Sequence, residues 1–403
     1  MSFDSADDYM LWLLHAAKIN AKKARSLLAV FKNAEGVFDA GRYELGGAGL
    51  SSREVSSILD TGREESLASM KRQMKRLDME FISCENPNFP SLLKSIYDYP
   101  LGLFYKGILP EDSDLKIAVI GSRECTDYGR NAAYRLSREL AERGVTIVSG
   151  MARGIDGTAH KGALEAGGFT VAVAGTGLDI CYPSENARLL SKIIENGCAI
   201  SEYPPETMYQ KSHFPQRNRL ISGISHGVIV VEAALKSGTN ITIEQAIDQG
   251  RVIFAVPGNI YSEVSEGTNQ LIKDGAVPVT GYEDVLIEYF FGGRNKNILN
   301  GKSPFVDNKS KKISPINKED KKEDKKEGLK IAEGLKTCEK DTSSLDLTQK
   351  SVYDCLCLTS ALTADEIVNI LGISIQELLP ALTMLEIQGF AEANAGGKYS
   401  RKP

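Results

Sequence analysis

Between residues 115 and 290 the chain repeats one unit: a short apolar, mostly β-branched run, a loop of small residues, then a helical segment. The apolar runs lie at 116–120, 145–148, 170–174, 199–201, 228–231 and 252–256, and helical stretches such as 129–143, 156–166, 185–196 and 242–249 separate them. Runs that are apolar throughout, with no alternation, belong to strands covered on both faces. Strands that alternate with helices build a parallel sheet. The expectation is an α/β domain over 81–292 with a doubly wound, mostly parallel sheet and with ligands outside the carboxyl ends of its strands.

The flanks read differently. Residues 1–80 place apolar side chains at helical spacing in 9–14, 24–31, 55–59 and 67–77. Leu45-Gly-Gly-Ala-Gly-Leu-Ser-Ser sets a glycine-rich turn before a helix opened by Ser51 or Ser52. That is the outline of a helix-hairpin-helix or SAM-like domain, and it fits a plain helical interaction domain as well. Residues 293–345 form a charged flexible linker: between 294 and 341 there are 14 Lys/Arg against 9 Asp/Glu and almost no aromatic side chain. Such a stretch buries too little surface to offset its ordering entropy. Its +5 also suits a nucleic-acid tail, but the intermixed signs favour the linker. The whole chain carries −5, so everything outside this stretch carries −10.

Residues 346–403 predict three helices, at 347–356, 363–371 and 374–388, and then a strand–turn–strand, which together make a winged helix. A groove-reading helix needs donors for phosphates and base edges. Residues 374–388 contain no Lys or Arg and carry Glu377 and Glu386, and the module has four basic against seven acidic side chains. Docking onto a protein is therefore expected of it more than DNA reading.

Seven scattered cysteines suit a reducing compartment. No run approaches the roughly 20 apolar residues of a membrane helix. A cytoplasmic protein without a membrane segment is expected. There is no G-x-x-x-x-G-K-[ST] loop and no H-E-x-x-H pair, and the four histidines are dispersed. No catalytic residue, cofactor or metal is expected, and the protein is read as a non-enzyme.

The strand ends hold the candidate site. Gly121-Ser122-Arg123 follows the first parallel strand, where glycine and serine permit close backbone approach and the guanidinium can take a phosphate bidentately. A surface arginine capping the next helix is an equal reading. Ser149-Gly-Met-Ala-Arg-Gly-Ile-Asp156 turns into a helix N-terminus and adds Arg153. His160, inside that helix, is read as a packed histidine. Between Lys211 and Arg219 three cations and His213 accompany Phe214, Pro215 and Asn218 with no acidic residue. Cations beside an aromatic are what single-stranded nucleic acid requires. Alternatively, Phe214 fills a core gap and Arg217 pairs with Glu202 or Glu232. Ser237-Gly238-Thr239 is one more anion-accepting turn.

Taken together, Ile117-Ala-Val-Ile-Gly-Ser-Arg123, Ser149-Gly-Met-Ala-Arg-Gly-Ile-Asp156 with Ala159-His160, Phe214-Pro-Gln-Arg-Asn-Arg-Leu-Ile-Ser222, Val231-Glu-Ala with Ser237-Gly-Thr239, and Val256-Pro-Gly258 with Gly267-Thr-Asn-Gln-Leu-Ile272 resemble the bacterial DNA-processing protein A (Smf) family. The resemblance covers about 80–285 and matches the order of the flanking domains more loosely. It implies an extended Rossmann-like sheet in a homodimer that binds single-stranded DNA, protects incoming strands during natural transformation and loads RecA recombinase onto them. It implies further that Arg123 holds phosphate, that Phe214 lies near a base and that Arg217 lies on the strand's backbone. Lys211 stands just before the motif. The dimer interface is open, with 240–247 and 271–287 as candidates. The alternative is an enzyme: the sheet also resembles nucleoside-monophosphate phosphoribohydrolases, with Glu232 or Glu244 as general base, although Lys236-Ser-Gly-Thr-Asn-Ile-Thr-Ile-Glu244 lacks their Pro-Gly-Gly.

Overall fold

The computed structural model describes residues 3–60, 62–290, 347–356, 362–371, 374–388, 390–394 and 398–401. The expected linker at 293–345 lies outside the described residues. Two compact units result, 1–311 and 312–403.

In the first unit nine strands form one sheet: β1 (Glu80–Ser83), β2 (Gly102–Gly107), β3 (Lys116–Ile120), β4 (Thr146–Ser149), β5 (Thr170–Val173), β6 (Cys198–Ser201), β7 (Gly227–Val230), β8 (Val252–Ala255) and β9 (Val277–Pro278). Their spatial order is β1-β2-β6-β5-β4-β3-β7-β8-β9. From β6 across to β9 every pairing is parallel, and β1 and β2 add an antiparallel edge beside β6. The doubly wound sheet is thus observed, extended by an edge pair that the apolar-run pattern does not announce.

Both faces are covered, which explains the unbroken apolar runs. Ile117 and Val119 of β3 pack against Leu136 and Leu140 of helix Asp127–Glu142 and Ala159 of helix Ile155–Glu165. Ala118 and Ile120 face the other way, into the core that holds Leu189 and Ile193 of helix Ala187–Asn196 and Leu220 of helix His213–Gly223. The second core continues into the front helices. Met10, Trp12, Leu13, Leu27, Val37, Leu45 and Leu67 lie in one cluster with Ile82, Leu103, Phe104 and Ile200. Residue 80 therefore marks a change from helix to strand inside a single continuous core. Ser51, not Ser52, opens helix Ser52–Ile58, in a reciprocal capping box with Glu54.

The chain order places the crevice. From β3 the connections run outward through β4 and β5 to β6; the next crossover, carrying helix His213–Gly223, returns to set β7 on the opposite side of β3. The gap above β3 and β7 is the topological switch point, where open α/β sheets bind ligands.

The second unit has helices Leu347–Cys355, Ala364–Leu371 and Ile375–Ile387 and a three-stranded antiparallel sheet, β10 (Leu362–Thr363), β11 (Ala391–Asn394) and β12 (Lys398–Arg401). Val352, Ile367, Leu378, Leu382, Leu385 and Phe390 make its core. This is the expected winged helix.

Candidate nucleic-acid interface

A groove of about 460 Å³ opens at the switch point, lined by the end of β3 and the turn after it, by helix His213–Gly223 and by the Ser237-Gly238-Thr239 turn that follows β7. Its first wall is the turn after β3. A side chain at position 121 would strike Ile155 Cγ1 at 2.8 Å and the Glu232 carbonyl at 2.9 Å, so only glycine fits there. The Ser122 amide donates to the Glu232 carbonyl (2.8 Å), and the Ile155 amide donates to the Ser122 carbonyl (3.2 Å). Gly154 takes φ +72° against the carbonyls of Ser122 and Arg123, a conformation that favours glycine. Ser122 Oγ accepts from the Glu124 amide (3.1 Å). The turn is thus tied to the segment after β7 and to the start of helix Ile155–Glu165 while Arg123 stays exposed.

The opposite wall is helical. The segment after Lys211 folds as helix His213–Gly223. Pro215 is tolerated because it falls in the first turn, where backbone N–H groups have no partner inside the helix. Phe214 lies with its ring 5.5 Å from the Arg123 guanidinium carbon and 5.4 Å from that of Arg217. Lys211 is exposed at the mouth, and Asn218 lines the same groove. Ser237, Gly238 and Thr239 close it at the start of helix Thr239–Asp248, where amide groups and the helix dipole favour an anion.

Arg217 differs from the others. It is 3% exposed. Its Nη1 donates to the carbonyls of Gly150 and Val173, the latter at 2.6 Å, so it clamps the ends of β4 and β5. Burial lowers its guanidinium to about 10, and burial raises the neighbouring Asp156 carboxyl despite the pull of Arg217. For both groups desolvation outweighs mutual attraction. Arg217 borders the groove but serves first as a strut. It pairs with neither Glu202 nor Glu232.

Of the twelve expected site residues, ten line this groove. Arg219 does not: its Nη2 donates to Glu202 (2.5 Å) and its Nε lies 3.2 Å from Asp98, on the far side of the helix. Arg153 opens into an adjoining hollow, where its Nη2 donates to Glu185 at 2.8 Å. His160 is fully buried; the Thr170 hydroxyl donates to the Ile147 carbonyl, so His160 Nδ1 donates to Thr170 Oγ1 at 2.7 Å. It is the packed histidine expected.

Two residues beside Phe214 have no sequence signal. Tyr182, 43% exposed, stacks on Tyr209, 36% exposed, with ring centroids 4.1 Å apart. Phe214 lies 5.8 Å from the first ring and 5.2 Å from the second. They extend the aromatic surface beyond Phe214. The general-base candidates of the enzyme alternative are placed otherwise. Glu232 is buried and takes the Thr126 amide (2.9 Å) and hydroxyl, and Glu244 is exposed and outside the groove. Among the described residues no three His, Cys, Asp or Glu gather as metal ligands, and no helix is long and apolar enough to cross a membrane.

Comparison with known proteins points one way. Residues 80–290 match the family described as DNA recombination-mediator protein A, and residues 339–397 match the DprA winged helix domain. The chain is 40% identical over 275 residues to the DNA processing protein DprA of Streptococcus pneumoniae, covering 62% of this chain and 97% of that one. It is 42% identical over 245 residues to the protein Smf of Escherichia coli, covering 60% of this chain and 65% of the relative. The X-ray structure of the pneumococcal DprA superposes with a TM-score of 0.60 at 35% identity, over 72% of this chain and 99% of that one.

Proposed function

The chain belongs to the DNA recombination-mediator protein A family, and from that premise we propose that it holds single-stranded DNA in the switch-point groove. The observation that carries this reading is one groove that holds exposed Arg123 and Lys211 with Phe214, the Arg123 guanidinium lying by the Phe214 ring and the Ser237-Gly238-Thr239 turn beside them. Cations and helix-end amides take phosphates, and the aromatic surface takes a base by stacking, which every base offers. Such contacts carry little sequence information. With −10 spread over the chain outside 294–341, attraction is local, so binding falls steeply as salt rises. The protein is read as a binder and not as an enzyme, in keeping with the engagement of Glu232.

Following the family, the bound strand is protected during DNA uptake and RecA recombinase is loaded onto it by a homodimer in the cytoplasm. The free thiols of the first unit suit that compartment. The test is fluorescence anisotropy with a labelled single-stranded oligonucleotide at two salt concentrations, duplex of the same sequence competing. Arg123→Glu and Lys211→Glu should each weaken binding at least about tenfold. Unchanged binding in both variants would move the site out of the groove. Loading is read separately, as the rate at which RecA begins DNA-dependent ATP hydrolysis on single strands with and without this protein.

A further inference from the structure

The groove does not end at Arg123. Arg123 and Glu124 also line a second hollow of about 410 Å³, and Lys161, Glu185 and Asn186 of that hollow line a third of about 630 Å³. Three concavities therefore adjoin across one surface, from the carboxyl ends of β3 and β4 to helix Ala187–Asn196. The second and third hollows together show six cations against three carboxylates, in a chain whose remainder outside 294–341 is acidic.

The pairing of these cations is uneven. Arg153 is held by Glu185, and Arg130 lies 3.6 Å from Asp127. Lys161, Arg188 and Lys192 are exposed and have no carboxylate partner among the described residues. Arg188 stands in the first turn of its helix, where the dipole disfavours a cation. Lys192 follows it at i+4, where like charges repel. An acidic chain that keeps three unpaired cations along adjoining hollows, two of them in self-repelling positions, holds a surface that a polyanion would relieve. The half-buried ring of Tyr134 lies at the far end.

We propose that these hollows form a second segment of the DNA track, so that a single strand leaving the groove past Arg123 crosses Lys161 and then Arg188 and Lys192. The proposal rests on the groove holding single-stranded DNA. Glu185 lines both distal hollows and is bound to Arg153, so it acts as a brake: a phosphate entering there must displace it.

The experiment uses the full chain and two labelled oligothymidylates, one of about 6 nucleotides to fill the groove and one of about 20 to run beyond it. Arg188→Glu with Lys192→Glu should leave the short strand's affinity within about twofold. The same pair should weaken the long strand about tenfold or more and flatten its logarithmic salt slope by about 1.4, the share of two phosphate contacts on a single strand. Glu185→Gln should tighten the long strand alone. An unchanged long-strand affinity in the double variant overturns the track, as does an equal loss with both lengths, which would mean damage to the groove itself. If the unaltered protein fails to bind the short strand, the groove reading falls and this one falls with it.

Discussion

Two helices occupy positions where a nucleic-acid contact is conventionally sought, and they are built in opposite ways. Helix His213–Gly223, which crosses the sheet between β6 and β7, brings Phe214, Arg217 and Asn218 to an open groove. Helix Ile375–Ile387, in the recognition position of the winged helix, has no Lys or Arg; Glu377 caps its own first turn, and Leu379 and Met384 lie 46% and 41% exposed. The fold that elsewhere reads duplex DNA lacks the donors for it here, while a crossover helix with no such reputation has them. Side-chain chemistry, not architecture, is what distinguishes the two helices.

That contrast can be attacked at several points. The largest effect should come from Arg217→Met. It removes the guanidinium beside buried Asp156 and unties the carbonyls of Gly150 and Val173, which should cost about 3–5 kcal/mol of stability in chemical denaturation. An effect below about 1 kcal/mol would show that the groove helix needs no strut. Phe214→Ala should next weaken single-strand binding by about 1–3 kcal/mol with the fold intact, and Tyr209→Ala by the lower end of that range, both read by anisotropy.

Acid should separate the two units. All four histidines lie in the first unit and none in the second. Burial lowers His15 and His226 from 6.5 to about 4, and His160 to about 3. Unfolding exposes them to protonation, so the unfolded chain binds more protons below 6.5 and the native state loses stability as pH falls. The contribution is complete above 6.5 and drains away between 6.5 and about 4. Calorimetry across that window should show the first unit's melting temperature falling faster than the second's. Parallel falls would mean that carboxylates dominate. The smallest effect should be that of Glu386→Lys, which places a cation on the winged helix; single-strand affinity should move less than about twofold, since one half-buried charge on a helix with no other cation adds little.

What sequence could and could not disclose follows from burial. Strands β3 to β8 were legible because each is sandwiched and so reads as an unbroken apolar run, whereas β1 and β2, a mixed-composition antiparallel edge, were not. The sequence groups 211–219 by residue type and assigns the segment no secondary structure, and Pro215, which sits in the first turn of the helix, gives no helical signal of its own. With the helix hidden, the separation of Arg217 from Arg219 was hidden too. Two residues apart on a helix, they point to opposite sides, one toward the groove and one toward Asp98 and Glu202. Tyr182 and Tyr209 are distant in sequence and lie outside any periodic pattern, so only the folded chain brings them together.

The single tryptophan has a use of its own. Trp12 is 1% exposed in the core that joins the front helices to the sheet, and neither the groove nor the described part of the second unit contains another indole. Its emission is therefore an optical gauge of one event, the parting of the helical front from the sheet. A strand that docks at Tyr182, Tyr209 and Phe214 would leave that gauge still and quench tyrosine instead, so two wavelengths would tell occupancy from unfolding in the same cuvette.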